Sequence, residues 1–204
     1  MSEAVSKNNP LNSSVKTDGG NVHPFWRFLY LLVAPQSGWK RLKNARYSTE
    51  YYARSLFYPL LALMAACRFA LLIYNVDATI ITVLQQAIGL FVAGFAGYYA
   101  ILILARTFLP HEARVKIETR FGKVYIMTCL SALALCMTVF ELIPGIGLVF
   151  VAAPIYVAYL MVKGVKYLRV PAEEENPTII LLTLLLLGTP IAIYALLEMM
   201  MPAA

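Results

Sequence analysis

KVYIMTCLSALALCMTVFELIPGIGLVFVAAPIYVAYLMVKGVKYLR, residues 123–169, decides the fold. Two apolar runs, 124–143 and 147–167, are joined by Pro144-Gly145-Ile146, and the cations gather at the two far ends as Lys123, Lys163, Lys166 and Arg169. A bilayer's hydrocarbon core takes roughly 20 helical residues. Each run is therefore long enough to cross once, and the two charged ends return to the same side.

The same reading extends along the chain. Residues 55–74, 80–109 and 178–200 are also apolar runs of spanning length, which makes five spans. The connections 75–79 and 144–146 and the tail 201–204 contain no Lys or Arg. Every Lys and Arg except Arg68 lies in or beside 1–54, 110–123 and 163–177, on the other side of this layout. Positive charge is retained on the cytoplasmic side. The amino terminus is thus expected in the cytoplasm and the carboxyl terminus outside, in an integral membrane protein (of the cytoplasmic membrane in a prokaryote). Composition agrees: 60% of the residues are hydrophobic, against roughly 45–50% in a soluble domain. The net charge of +6 then reflects orientation and attraction to anionic lipid, not nucleic-acid binding.

Three regions follow. Residues 1–21 are rich in Ser, Asn, Lys and Gly and read as a disordered cytoplasmic tail; no apolar stretch there resembles a cleavable signal. Residues 22–54 form an interfacial amphipathic segment, and residues 55–204 a five-helix transmembrane domain. The apolar part of the interfacial segment, 24–34, is about half the roughly 20 residues a span needs. Trp26 and Trp39 lie beside Lys40, Arg41, Lys43 and Arg46. Aromatics next to a basic face suit a short helix lying at headgroup depth; packing on the cytoplasmic ends of the protein's own helices is the other reading. The expected fold is all-α, a polytopic membrane protein of five transmembrane helices with this short helix before the first.

Polar residues inside the spans are the candidate sites, because a charge at membrane depth is costly and faces protein or water. Arg68 lies in the outer part of the first span. Asp77, Gln85, Gln86, Glu141 and Glu198 sit on the same side, and Glu141 is the expected ion-pair partner. The pairing is read as structural; an ion or proton pathway is the competing reading. Gly89, Ala93 and Gly97 recur every fourth residue, a spacing that lets helices approach closely, within the bundle or between copies. Pro154 and the Gly188-Thr189-Pro190 element predict kinks. Cys67, Cys129 and Cys136 lack metal-site spacing and read as packing residues. His23 and His111 stand without a catalytic grouping, no phosphate-cradling loop is present, and neither a metal nor a cofactor is expected.

From Phe121 to Pro171 the chain resembles the latter half of the Yip family, five-span membrane proteins named for interaction with Ypt/Rab GTPases. The resemblance rests on Lys123-Val124-Tyr125, the turn Ile143-Pro144-Gly145-Ile146-Gly147, Tyr156, Tyr159, Gly164 and Leu168-Arg169-Val170-Pro171, with Pro35 and Trp39 upstream. Ser131 departs from the family pattern in having no proline nearby. The resemblance implies a non-enzymatic membrane protein linked to membrane organisation or trafficking. Its partners would be membrane lipids, other membrane proteins or further copies of itself, held through the basic cytoplasmic face. The alternative is a small transporter or channel using Arg68 and the outer carboxylates.

Overall fold

The computed structural model describes residues 22–75, 79–142 and 147–200, with the side chains of 140–141 and 147–151 outside that description. No strand occurs among the described residues. The elements are α1 (Pro24–Val33), α2 (Pro35–Ala45), α3 (Thr49–Tyr74), α4 (Ile80–Phe108), α5 (His111–Glu118), α6 (Arg120–Leu142), α7 (Gly147–Leu168) and α8 (Ala172–Met200).

Four helices are long and apolar enough to cross a membrane: α3, α4, α6 through Val139, and α8. The fifth expected span, 147–167, forms α7, whose side chains are described only from Ala152 onward; it is not among the four. Helix α6 is the centre of the bundle. Of its apolar window, 72% is buried, against 11% for α8 at the periphery. It packs on α3 and α7, while α8 packs chiefly on α4. The inner position suits its sequence, since Gly122, Ala132 and Ala134 admit neighbouring helices closely. Its two buried threonines are satisfied within the helix: Thr128 Oγ1 donates to the Val124 carbonyl at 2.7 Å and Thr138 Oγ1 to that of Ala134 at 2.9 Å, whereas the buried Ser131 Oγ has no hydrogen-bond partner among the described residues. The threonine bonds are what a low-dielectric interior requires of a hydroxyl.

The segment before the first span is a helical hairpin rather than a single short helix. Pro24 and Pro35 each open a helix, where proline's missing N–H costs nothing. Gly38 lets the arms close, since a Cβ there would stand 2.5 Å from Leu31 Cα. Phe28, Leu31, Trp39 and Leu42 are buried and join the bundle core. Helix α3 then starts at Thr49, capped by Ser48 Oγ, which accepts from Tyr51 N at 3.2 Å, six residues before the expected 55.

Helix α3 is irregular where its sequence demands it. A π turn covers Ala53–Phe57, with Tyr58 N–H bonded to the Ala53 carbonyl five residues back. Pro59 follows at once; the widened turn takes up the donor it lacks and its clash with the preceding turn. A 3-10 turn covers Arg68–Ala70. By contrast, Pro154 and Pro190 lie inside helices assigned without interruption.

The loop expected over 110–123 contains α5. The acidic run Glu173–Glu175 occupies the first turn of α8, where the helix dipole favours negative charge. Glu174 Oε2 also accepts from Ala113 N at 3.2 Å, tying α8 to α5. Arg106 and Glu118 pair at 2.9 Å on the surface. These contacts gather the end of α4, all of α5, the end of α7 and the start of α8 at the same pole as α2. This is the basic pole of the bundle.

Candidate functional site

A pocket of about 810 Å³ opens at the basic pole between the end of α2, the start of α6 and the residues after α7. Four cations line it, Lys43, Arg46, Arg120 and Arg169, together with Asn44, Tyr47 and Phe121, and no carboxylate is among the lining residues. Each cation reaches the pocket through a helix end. Arg120 is the first residue of α6. Lys43 lies in the last turn of α2, and its Nζ donates to the Tyr167 carbonyl at the end of α7 at 2.5 Å. A helix carboxyl end carries partial negative charge and holds such a cation.

Arg46 and Arg169 stand out in their backbone. They are the only two non-glycine residues with positive φ among the described residues, at 49° and 59°. Both follow directly on helices, at positions where glycine is usual because a Cβ crowds the backbone. Strain of this kind persists where the surroundings or a function impose it. Here it places two guanidinium groups at one pocket.

The electrostatics agree with the composition. Burial pushes the Lys43 ammonium below its ordinary value of 10.5, and the neighbouring charges of Arg169 and Lys116 push it the same way. Four positive groups without a counter-charge in the lining favour an anion. The Lys43 Nζ also lies 5.5 Å from the centre of the Phe121 ring, which keeps one wall of the pocket apolar.

The six residues expected at the interface divide among the pocket, the exposed surface and the core. Lys43 and Arg46 line the pocket. Arg41 instead stacks over the Tyr30 ring at 4.2 Å, and its carbonyl accepts from Arg27 Nη1 at 2.9 Å, while Lys40 is exposed on α2. Trp26 is 65% exposed. Trp39 corrects the expectation of headgroup depth and follows the other reading, packing on the protein's own helices: it is fully buried. Its Nε1 donates to the Leu160 carbonyl at 3.0 Å and its ring lies 5.1 Å from that of Tyr125. The apolar ring has more surface to bury against α7 than at an interface, and the carbonyl satisfies its polar edge.

Inside the bundle, Arg68 is partly buried, and its Nε donates to Gln86 Oε1 at 3.1 Å. The expected partner Glu141 has its side chain outside the described residues, as does all of Asp77. Gln85 is partly buried and Glu198 exposed. Among the small residues of α4, Gly89 faces Tyr194 and Gly97 faces Pro190, both on α8, and Ala93 is buried beside them. This stripe packs within the bundle.

Sequence reasoning passed over Asn44 and Tyr47 and took Arg169 as charge and as part of the Leu168–Pro171 element, without placing it at a site. Left-handed backbone at an arginine leaves no trace in the sequence, and the meeting of the ends of α2, α6 and α7 is a tertiary fact. No protein-family profile, curated protein or solved structure matches this chain.

Proposed function

We propose that this chain is a non-enzymatic, five-span membrane protein of the Yip type that holds an anionic lipid headgroup in its basic pocket, with a role in membrane organisation. The observation that carries this reading is the convergence of Lys43, Arg46, Arg120 and Arg169 on one pocket whose lining contains no acid. The orientation follows from the charge distribution: the amino terminus is cytoplasmic, the carboxyl terminus outside, and the pocket opens at the inner headgroup layer. Helix α7, 22 residues with its lysines at positions 163 and 166, serves as the remaining span. The α1–α2 hairpin lies at the membrane surface with Trp26 turned outward. Each cation near an anionic surface contributes about 1 kcal/mol, so four of them around one phosphate select anionic lipid over zwitterionic.

The test compares the parent with a variant carrying Lys43→Gln, Arg46→Gln, Arg120→Gln and Arg169→Gln, both purified in mild detergent. The retained lipids are identified by mass spectrometry. The parent retains anionic phospholipid, and the variant loses it while keeping its helical circular dichroism. An unchanged lipid complement in the folded variant would overturn the reading.

A further inference from the structure

A headgroup with a single phosphodiester leaves most of the charge in the basic pocket unused. Such a group carries one negative charge, against the four cations of the lining. Among the described residues, the guanidinium groups of Arg46, Arg120 and Arg169 have no hydrogen bond or ion pair, so their donors are open to a ligand. Lys43 spends one donor on the Tyr167 carbonyl and keeps the others. The pocket is also large. Its volume of about 810 Å³ falls in the upper part of the roughly 300–1,000 Å³ of sites that enclose drug-sized ligands.

The cations fall into two groups. Lys43 and Arg169 meet at the carboxyl end of α7, close enough for the charge of Arg169 to act on the ammonium. Arg46 follows α2 and Arg120 opens α6. Each group contains an arginine, whose planar fork matches a phosphate with two parallel hydrogen bonds. An ammonium-bearing headgroup, by contrast, meets no acid in the lining.

We infer that the pocket selects lipids whose headgroup carries two phosphate groups over lipids that carry one. The inference rests on the reading of the basic pole as a headgroup site and sharpens it. The two phosphates are bridged by glycerol in diphosphatidylglycerol and joined directly in a prenyl diphosphate. In both, two anionic centres lie next to apolar chain, which Leu42, Phe121 and Val124 accept on the apolar side of the pocket. Basic pockets between spans on the cytoplasmic side suit such headgroups.

The test titrates the full chain in mild detergent with short-chain phosphatidylglycerol, short-chain diphosphatidylglycerol and farnesyl diphosphate, read by calorimetry. Salt is held at roughly 0.15 M, where loose surface attraction is screened. At least one of the two-phosphate lipids binds one per chain, about tenfold or more tighter than phosphatidylglycerol, as for added hydrogen bonds between charged groups. The tighter of the two identifies the source of the phosphates. Arg169→Gln breaks one grip and brings the affinities of the one- and two-phosphate lipids together. Lys40→Gln with Arg41→Gln, outside the pocket, keeps them apart. Folding is judged by circular dichroism, and if Arg169→Gln does not fold, Arg120→Gln breaks the other grip in its place. Phosphatidylglycerol binding as tightly as both two-phosphate lipids overturns the inference and leaves the headgroup reading standing, whereas no binding of any of the three overturns both. An advantage that survives Arg169→Gln in folded protein, or that is lost equally in the Lys40 and Arg41 variant, also overturns the inference.

Discussion

Trp39 Nε1 donates to the Leu160 carbonyl at 3.0 Å, joining residues 121 positions apart in the chain and fastening the α1–α2 hairpin to α7. Tyr125 Oη donates to the neighbouring Met161 carbonyl at 3.0 Å. Two aromatic side chains from different helices thus dock side by side on one turn of α7. Gly164 leaves the room for both: a Cβ there would lie 2.5 Å from Tyr125 Cε2 and 2.7 Å from Trp39 Cε2. Lys43, one turn beyond Trp39, is placed at the end of α7 by the same docking.

Gly164→Ala should therefore lower stability by about 1–3 kcal/mol, the usual loss when a methyl group is forced into a packed site. Gly188→Ala is the control. It has nothing within 4 Å of the added carbon, and replacing glycine by alanine within a helix gains about 0.5–1 kcal/mol. Thermal melting in detergent should show the first variant less stable than the parent and the second equal or more stable. Equal effects would separate Gly164 from the docking of Trp39.

The left-handed arginines make a second prediction. Arg46→Gly should raise stability, because an L-residue in this conformation costs on the order of 1 kcal/mol relative to glycine, while weakening anion binding. Arg46→Ala keeps the strain and loses the charge, so it should weaken binding without any gain in melting temperature. Melting curves and lipid titrations of the two variants check this. Should both glycine and alanine leave binding intact, Arg46 has no part in the site.

The spanning helices were largely legible because they depend on length and apolarity, which one sequence displays directly. The boundaries at Ile80 and Met200 agree, and Gly89 and Gly97 announce close packing by spacing alone. The hairpin was half legible: its prolines mark two helix starts, but Gly38 shows its purpose only against Leu31. Trp39 was misplaced because a tryptophan among lysines reads the same at a headgroup as in a core, and only the position of α7 decides between them. The pocket was visible as charge but not as a site. Its four cations come from three separate helix ends, two of them held by strained backbone.

Lys43 gives the pH dependence. Its folded-state value lies below the ordinary 10.5, so between the two values the unfolded chain holds more protons than the folded one. The stability of the empty protein therefore rises with pH across that window. A bound anion favours the charged ammonium and raises its value, so binding takes up protons and affinity falls as pH climbs through the same window. Arg169→Gln should move Lys43 back toward 10.5. Isotope-edited NMR of labelled lysine, with and without phosphatidylglycerol, reads both shifts; no upward movement on binding would remove Lys43 from contact with the anion.

The Arg68–Gln86 contact should matter to the bundle. Gln86→Leu removes an acceptor from a charged donor and should cost about 1.5–3 kcal/mol. A double-mutant cycle with Arg68→Leu, followed by thermal melting, should show the two losses to be less than additive. Simple additivity would mean that the bond contributes nothing.

The central claim is that anion binding is local to the pocket and not a property of the basic face as a whole. Equilibrium titration of short-chain phosphatidylglycerol into the detergent-solubilised protein separates the two, using two double variants of equal charge change. Arg120→Gln with Arg169→Gln should weaken binding at least about tenfold, as expected for losing hydrogen bonds to charged groups. Lys40→Gln with Arg41→Gln, which neutralises cations outside the pocket lining, should leave the affinity within about twofold of the parent, as for residues outside the contact. Equal losses in the two variants, or no loss in the first, would contradict the account.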